Sequence, residues 1–296
     1  MSRLLFGPLN ESDKPICEVE GGKEDGTVLW LNEEKCCQQC SPKCGYRRCC
    51  SKCLGPEEYR IPPMKEYKIA DAGKMKVIPK TNGSQHGFIF GSSGSGKSWF
   101  TSEYVEMYQR VFPQNPVYLV SYVDEDSSID KIQDLIRIPI EDITSGKISG
   151  KTIADSLIIF DDVDALQQAP EKKEEEQEAS VHADEKKALT PKVIFGLVET
   201  LRDQLLTTGR HHNVSVIVTS HLGANFNHTK VPINESNFVV VFPKGGNASQ
   251  IDRIVRNYSG LTGEQKKKLM ALPSRWVMLY KSYPSYVVHE RGCYLI

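Results

Sequence analysis

An α/β fold is predicted, with a mostly parallel central sheet flanked by helices and preceded by a small Cys-rich region. Three observations carry that expectation. From about Tyr67 onward, short runs of Val, Ile and Phe alternate with longer helical stretches. One of those runs ends in a glycine-rich loop that opens a helix. Seven of the nine cysteines (Cys36, Cys37, Cys40, Cys44, Cys49, Cys50 and Cys53) crowd into one short stretch near the start. The rest of the composition is ordinary, with 39% hydrophobic residues, 25% charged residues and a net charge of −1, which excludes wholesale disorder and a globally basic coat. No apolar run approaches the ~18 residues of a membrane span. The stretch 1–6 is too short for the ~7–15-residue core of a secretory signal. The expectation is a soluble protein without a membrane span, made and kept inside a cell.

Two domains follow from the punctuation. Residues 1–63 form the Cys-rich N-terminal region, closed by Gly55-Pro56 and Pro62-Pro63. Residues 64–296 form the α/β domain, interrupted at about 170–189 by a Glu- and Lys-rich stretch read as a mobile insertion. Strands are expected at residues 87–90, 117–122, 157–160, 214–219 and 238–242, each apolar almost throughout, as in a sheet buried on both faces. A helix is expected over 99–111. A second begins with Thr190 as N-cap and Pro191 as first helical residue, carries Val193, Leu197, Leu201 and Leu205 along one face, and stops at Gly209.

The segment Gly91-Ser92-Ser93-Gly94-Ser95-Gly96-Lys97-Ser98 fits G-x-x-x-x-G-K-[ST] at every specified position, between a strand and a helix. Glycines let backbone N–H groups turn inward around phosphates, and the helix adds its positive end. Lys97 is placed to bridge the β- and γ-phosphates of ATP, and the Ser98 hydroxyl to ligate Mg2+. The run Leu157-Ile158-Ile159-Phe160-Asp161-Asp162 supplies the complementary acids. Asp161 is assigned to Mg2+ through its water shell, and Asp162 to polarising the attacking water. The paired acid favours an ATPase over a small-molecule kinase. The fourth strand ends in Ser220-His221, either of which can sense the γ-phosphate.

Together with 209–212, 214–221, 242–244 and 274–277, these motifs resemble the genome-packaging ATPases of large double-stranded DNA viruses and their smaller relatives, within the FtsK–HerA superfamily. The resemblance covers about residues 80–296. It implies a phosphate-loop NTPase core and an ATP-hydrolysing motor that translocates double-stranded DNA, without sequence preference, into a preformed capsid. It also implies a homo-oligomeric ring, commonly a hexamer, a capsid or portal partner, and a location in the host-cell cytoplasm, at a viral assembly site or with the virion. Arg210 matches the arginine that relatives extend into a neighbour's nucleotide site, with Arg202 a weaker candidate. Rival readings are a helicase or cellular DNA pump, and a zinc-dependent docking protein whose nucleotide site only switches conformation.

The cysteines lie outside that resemblance. Cys37-x-x-Cys40 and Cys50-x-x-Cys53 can each clasp one side of a tetrahedral Zn2+. Their separation is shorter than usual, so a different ligand set or a two-metal cluster stays open. Lys35, Lys43, Arg47, Arg48 and Lys52 make this region a candidate basic knob. From Phe238 onward nine cations face three acids, a second candidate surface for phosphate contacts.

Overall fold

A computed structural model describes residues 2–7, 14–33, 65–122, 126, 128–164, 189–221, 226–245, 247–258 and 260–296. Its first strands are β1 (Ser2–Gly7), β2 (Lys14–Glu20) and β3 (Val28–Glu33), which the sequence reading does not anticipate. After β4 (Glu66–Lys68), β5 (Lys74–Val77) completes with them an antiparallel sheet in the order β1-β3-β2-β5. A register shift between Pro15 and Cys17 lets the consecutive Ile16 and Cys17 both turn inward. This sheet draws strands from both sides of residue 63. The expected boundary itself, the seven clustered cysteines and nearly all of the charged insertion lie outside the described residues.

The large sheet has ten strands. It takes in β4 together with β6 (His86–Phe90), β7 (Val117–Ser121), β8 (Leu135–Arg137), β9 (Leu157–Asp161), β10 (Ser215–Ser220), β11 (Phe238–Val241), β12 (Val277–Tyr280), β13 (Tyr286–His289) and β14 (Gly292–Leu295). Their order is β4-β14-β13-β12-β11-β6-β10-β9-β7-β8. The strands from β11 to β8 run parallel, and β12, β13, β14 and β4 extend the sheet antiparallel. All five expected strands are present, shifted by at most one residue at either end. They are apolar throughout because both faces of the sheet are covered.

Alternate side chains serve the two faces. On one, Phe88, Phe90, Ile158, Phe160, Val216 and Val218 share a core with the helices α3 (Pro191–Thr208), α4 (Phe226–Glu235), α5 (Ala248–Tyr258) and α6 (Gly263–Met270), and with the short α2 (Ile140–Thr144). On the other, Ile89, Leu157, Ile159 and Ile217 meet Phe100, Tyr104, Val105 and Tyr108 of α1 (Lys97–Val111). The same core continues to Leu4, Ile16, Cys17, Val19 and Leu29, so α1 lies between the two sheets. No helix among the described residues is long and apolar enough to cross a membrane.

Two details of α3 differ from expectation. Val193 and Leu197 are 47% and 37% exposed, whereas Leu201 and Leu205 are buried beside Phe195, Val198 and Leu206. A strict four-residue spacing drifts by about 40° per step around a helix of 3.6 residues per turn, so one end of the stripe leaves the core. Gly209 does cap the α-helix, but not in a left-handed conformation: its φ is −56°, the chain continues through a 3-10 turn (Gly209–His212), and Asn213 at φ 54° supplies the left-handed exit.

Candidate active site

Parallel pairing brings the C-terminal ends of β6, β9 and β10 to one edge of the sheet, where open α/β sheets bind ligands. The loop after β6 is firmly braced there. The Gly91 N–H donates to the Ser220 carbonyl at 3.2 Å, and the Ser92 hydroxyl donates to the Gly245 carbonyl. Gly96 precedes α1 at φ 111°, a conformation side chains rarely adopt, and a Cβ on Gly91 would stand 2.3 Å from Ser95 Oγ. Only glycine serves at either place. The loop therefore delivers Lys97 and Ser98 at the first turn of α1.

Lys97 is nearly buried, and its Nζ lies 2.9 Å from His221 Nδ1 and 3.8 Å from Asp162 Oδ1. His221 Nε2 lies 2.6 Å from Asp162 Oδ2. The ammonium donates to Nδ1, so the imidazole proton sits on Nε2 and points at Asp162. Burial lowers the Lys97 pKa, while Asp162 and Asp161 pull it back up. Three residues from three distant parts of the chain thus form one connected chain of polar contacts.

Asp161 sits behind it, 3% exposed. Burial, then the charges of Asp162 and Asp126, push its carboxyl up to about 6, while a hydrogen bond from Thr219 pulls the other way. Thr219 Oγ1 donates to Asp161 Oδ1 at 2.7 Å and accepts the Asp162 N–H at 3.0 Å. Asp162 itself holds a left-handed φ of 45°, which turns the chain sharply at the end of β9. The Ser98 hydroxyl donates to Asp126 Oδ2 at 3.0 Å, and Ser220 Oγ to Asp164 Oδ2 at 2.5 Å. A buried carboxylate beside other acids suits a divalent cation, and the Ser98 hydroxyl is an oxygen donor of the kind such a cation takes. Among the described residues no group of three or more His, Cys, Asp or Glu could hold a metal ion, and a Ser–Asp pair completed by water needs none. Thr219 and Asp126 have no role in the sequence reading. The only local signal is a hydroxyl at the last interior position of β10.

The remaining candidates separate. Arg210 is exposed at the N-terminal edge of the sheet, where its charge helps burial lower the pKa of His86 to about 4. The six residues of β10 lie between it and the loop edge, about 20 Å of strand. Arg202 is 2% exposed and held by Glu199, Asp203 and the His228 carbonyl, so it is a buried anchor of α4 on α3 that cannot reach a neighbour. Cys37, Cys40, Cys50 and Cys53 lie outside the described residues. Cys17 and Cys293 are free and buried, and burial pushes both thiols up.

At least five of the nine C-terminal cations have partners within the chain. Lys266 and Arg256 pair with Asp252, Lys268 with Glu66, Lys281 with the Ile233 and Asn234 carbonyls, and Arg291 with the Asp71 carbonyl. These pairings leave fewer free cations on this surface than a charge count suggests. What the edge offers is a glycine-rich loop at a helix start, a buried lysine and a cluster of carboxylates and hydroxyls, the residue types that suit binding of a phosphate and a cation.

No protein-family model matches the chain. It is 30% identical over 291 residues to "Uncharacterized protein V3" of Sputnik virophage, covering 98% of each chain. Among solved structures it is similar to the genome packaging NTPase B204 from Sulfolobus turreted icosahedral virus 2, with TM-score 0.43 and 12% identity over 70% of this chain and 96% of that one. It is also similar to the pCW3 conjugation coupling protein TcpA, with TM-score 0.44 and 12% identity over 95% and 77%. A third likeness is to the cytoplasmic domain of the type VII secretion ATPase EccC of Thermomonospora curvata, with TM-score 0.48 and 13% identity over 78% and 28%.

Proposed function

The chain belongs to the family of the Sputnik virophage V3 protein, and from that premise we propose that it is a ring-forming motor that uses ATP to drive double-stranded viral DNA into a preformed capsid. The observation that carries this reading is the contact chain from Lys97 through His221 to Asp162. Because His221 follows β10, any shift of Lys97 on a phosphate is felt at once by the strand that leads on to α4. A motor needs such a route from chemistry to movement. The sequence resemblance and the virophage origin of the relative support DNA as the load, and a capsid or portal component as the dock.

In this mechanism the loop amides and Lys97 hold the ATP phosphates. Asp162 accepts the proton of the attacking water, and His221 orients that carboxylate and registers the loss of the γ-phosphate. Mg2+, held by Ser98 and through water by Asp161, would neutralise charge on the phosphate oxygens. Arg210, too far from its own loop, serves the site of the next subunit in the ring. The four cysteines Cys37, Cys40, Cys50 and Cys53 are assigned to Zn2+. The protein acts in virus-infected cells, at the assembly site or with the virion.

The test is ATP turnover by the full chain with and without double-stranded DNA. We expect DNA to stimulate turnover severalfold. Lys97→Ala loses both nucleotide binding and turnover. Asp162→Asn keeps binding and loses about 10²-fold or more in rate. Turnover indifferent to DNA removes the motor, unwinding of a forked duplex points to a helicase, and a comparable binding loss in Asp162→Asn removes the assigned roles.

A further inference from the structure

A second cation stands beside the phosphate loop, on the flank away from Asp161 and Asp162. Arg275 lies just before β12, which is separated from β6 by β11 alone, whereas the acids follow β9 on the opposite side. Its main chain is fixed, because its N–H donates to Glu290 Oε2 at 2.7 Å and the buried Ser274 Oγ lies 3.2 Å from the same oxygen. The side chain projects onto the loop. Arg275 Nη2 is 3.0 Å from the position a Cβ on Gly96 would take, and Cζ is 5.2 Å from the centroid of the Trp99 ring. The guanidinium is exposed, and among the described residues no carboxylate is paired with it. An arginine set over an aromatic ring by a cation–π contact and left without an acid is a preorganised ligand for phosphate oxygens.

Which phosphates it meets follows from the other flank. Lys97 turns toward β10 and β9, where it touches His221 and Asp162, so the γ end of a nucleotide lies there. The loop amides cradle the α- and β-phosphates. We propose that Arg275, steadied by its cation–π contact with Trp99, binds the α- and β-phosphates from the non-hydrolytic flank and so sets nucleotide affinity and product retention. This rests on the phosphate-loop site described above. A contact to phosphates shared by ATP and ADP strengthens binding of both and acts mainly through KM.

The experiment titrates the full chain with ADP, and with ATP in the absence of magnesium, by calorimetry, alongside steady-state turnover. The chains compared are native, Arg275→Ala, Arg275→Lys and Lys97→Ala. We expect Arg275→Ala to weaken ADP and ATP alike by about tenfold or more. KM should rise by a similar factor, with a smaller fall in kcat. Arg275→Lys should recover part of the affinity, since it restores charge without the planar fork. Native affinity for ADP in a folded Arg275→Ala chain overturns the proposal. So does a loss confined to ATP, which would place the guanidinium at the γ-phosphate. If native and Lys97→Ala chains bind nucleotide equally, the phosphate-loop reading itself fails, a result distinct from either.

Discussion

Asp161 holds its proton more tightly in the folded chain, where it titrates at about 6, than in an unfolded one, where Asp titrates near ~3.9. Between those values the unfolded chain has released a proton that the folded chain keeps. Stability from this group therefore falls as pH rises from about 4 to about 6, and stays lower above. Asp161→Asn should raise the melting temperature at pH 7.5 in metal-free buffer by an amount worth up to about 2–3 kcal/mol. The gain should vanish near pH 4, and a lower melting temperature at both pH values would show that the charge itself stabilises the fold. Thr219→Val removes the hydrogen bond that lowers this pKa, so the acid limb of the pH–rate profile should move to higher pH; an unmoved limb sinks that assignment. The groups around Asp161 were unequally legible in the sequence. Lys97 and Asp162 belong to motifs whose chemistry fixes their spacing. Thr219 acts on an acid 58 positions away, and Asp126 on a serine 28 positions away, contacts that exist only once the strands and loops are stacked.

Helix α3 shows the same limit one level up. Its apolar residues announce a helix, but only the sheet decides which turns are covered. Leu201→Ala should cost about 2–4 kcal/mol in urea unfolding, whereas Leu197→Ala should stay within about 0.5–1 kcal/mol. Equal costs would mean that the stripe is buried along its full length. The five expected strands were readable because burial on both faces leaves an uninterrupted apolar run. β12, β13 and β14 are four residues each and include Tyr280, His289 and Gly292 at their ends, so they lack the uninterrupted Val, Ile and Phe runs that made the other strands readable. In β1 to β3 the cysteine stretch that follows dominated the composition. The alternation of Cys17 and Val19 with Glu18 and Glu20 was there to be read.

Across the whole molecule, the small sheet closes over α1, with Ile16, Cys17 and Leu29 in one core with Phe100 and Tyr104. Deleting residues 1–63 should therefore leave an aggregating or unfolded remainder; a monodisperse, ATP-binding product would show two independent domains instead. Zinc is assessed on the intact chain, where elemental analysis after purification without added metal should find at least one equivalent, and less than about half would favour plain thiols. For the ring, Arg210→Ala and Lys97→Ala chains, each nearly inactive alone, should regain partial turnover when mixed, because some sites then combine an intact lysine with an intact neighbouring arginine. Confirmed mixed assembly with no regain would remove Arg210 from the neighbour's site. The opposed placement of Arg210 and the phosphate loop on one parallel sheet carries a consequence for assembly. Contacts made front to back are heterologous, so each added subunit repeats the same rotation and rise. Only a rise of zero closes the chain on itself, and any residual pitch yields an open spiral. Either product has unlike faces, which gives a directional cargo a built-in sense of forward.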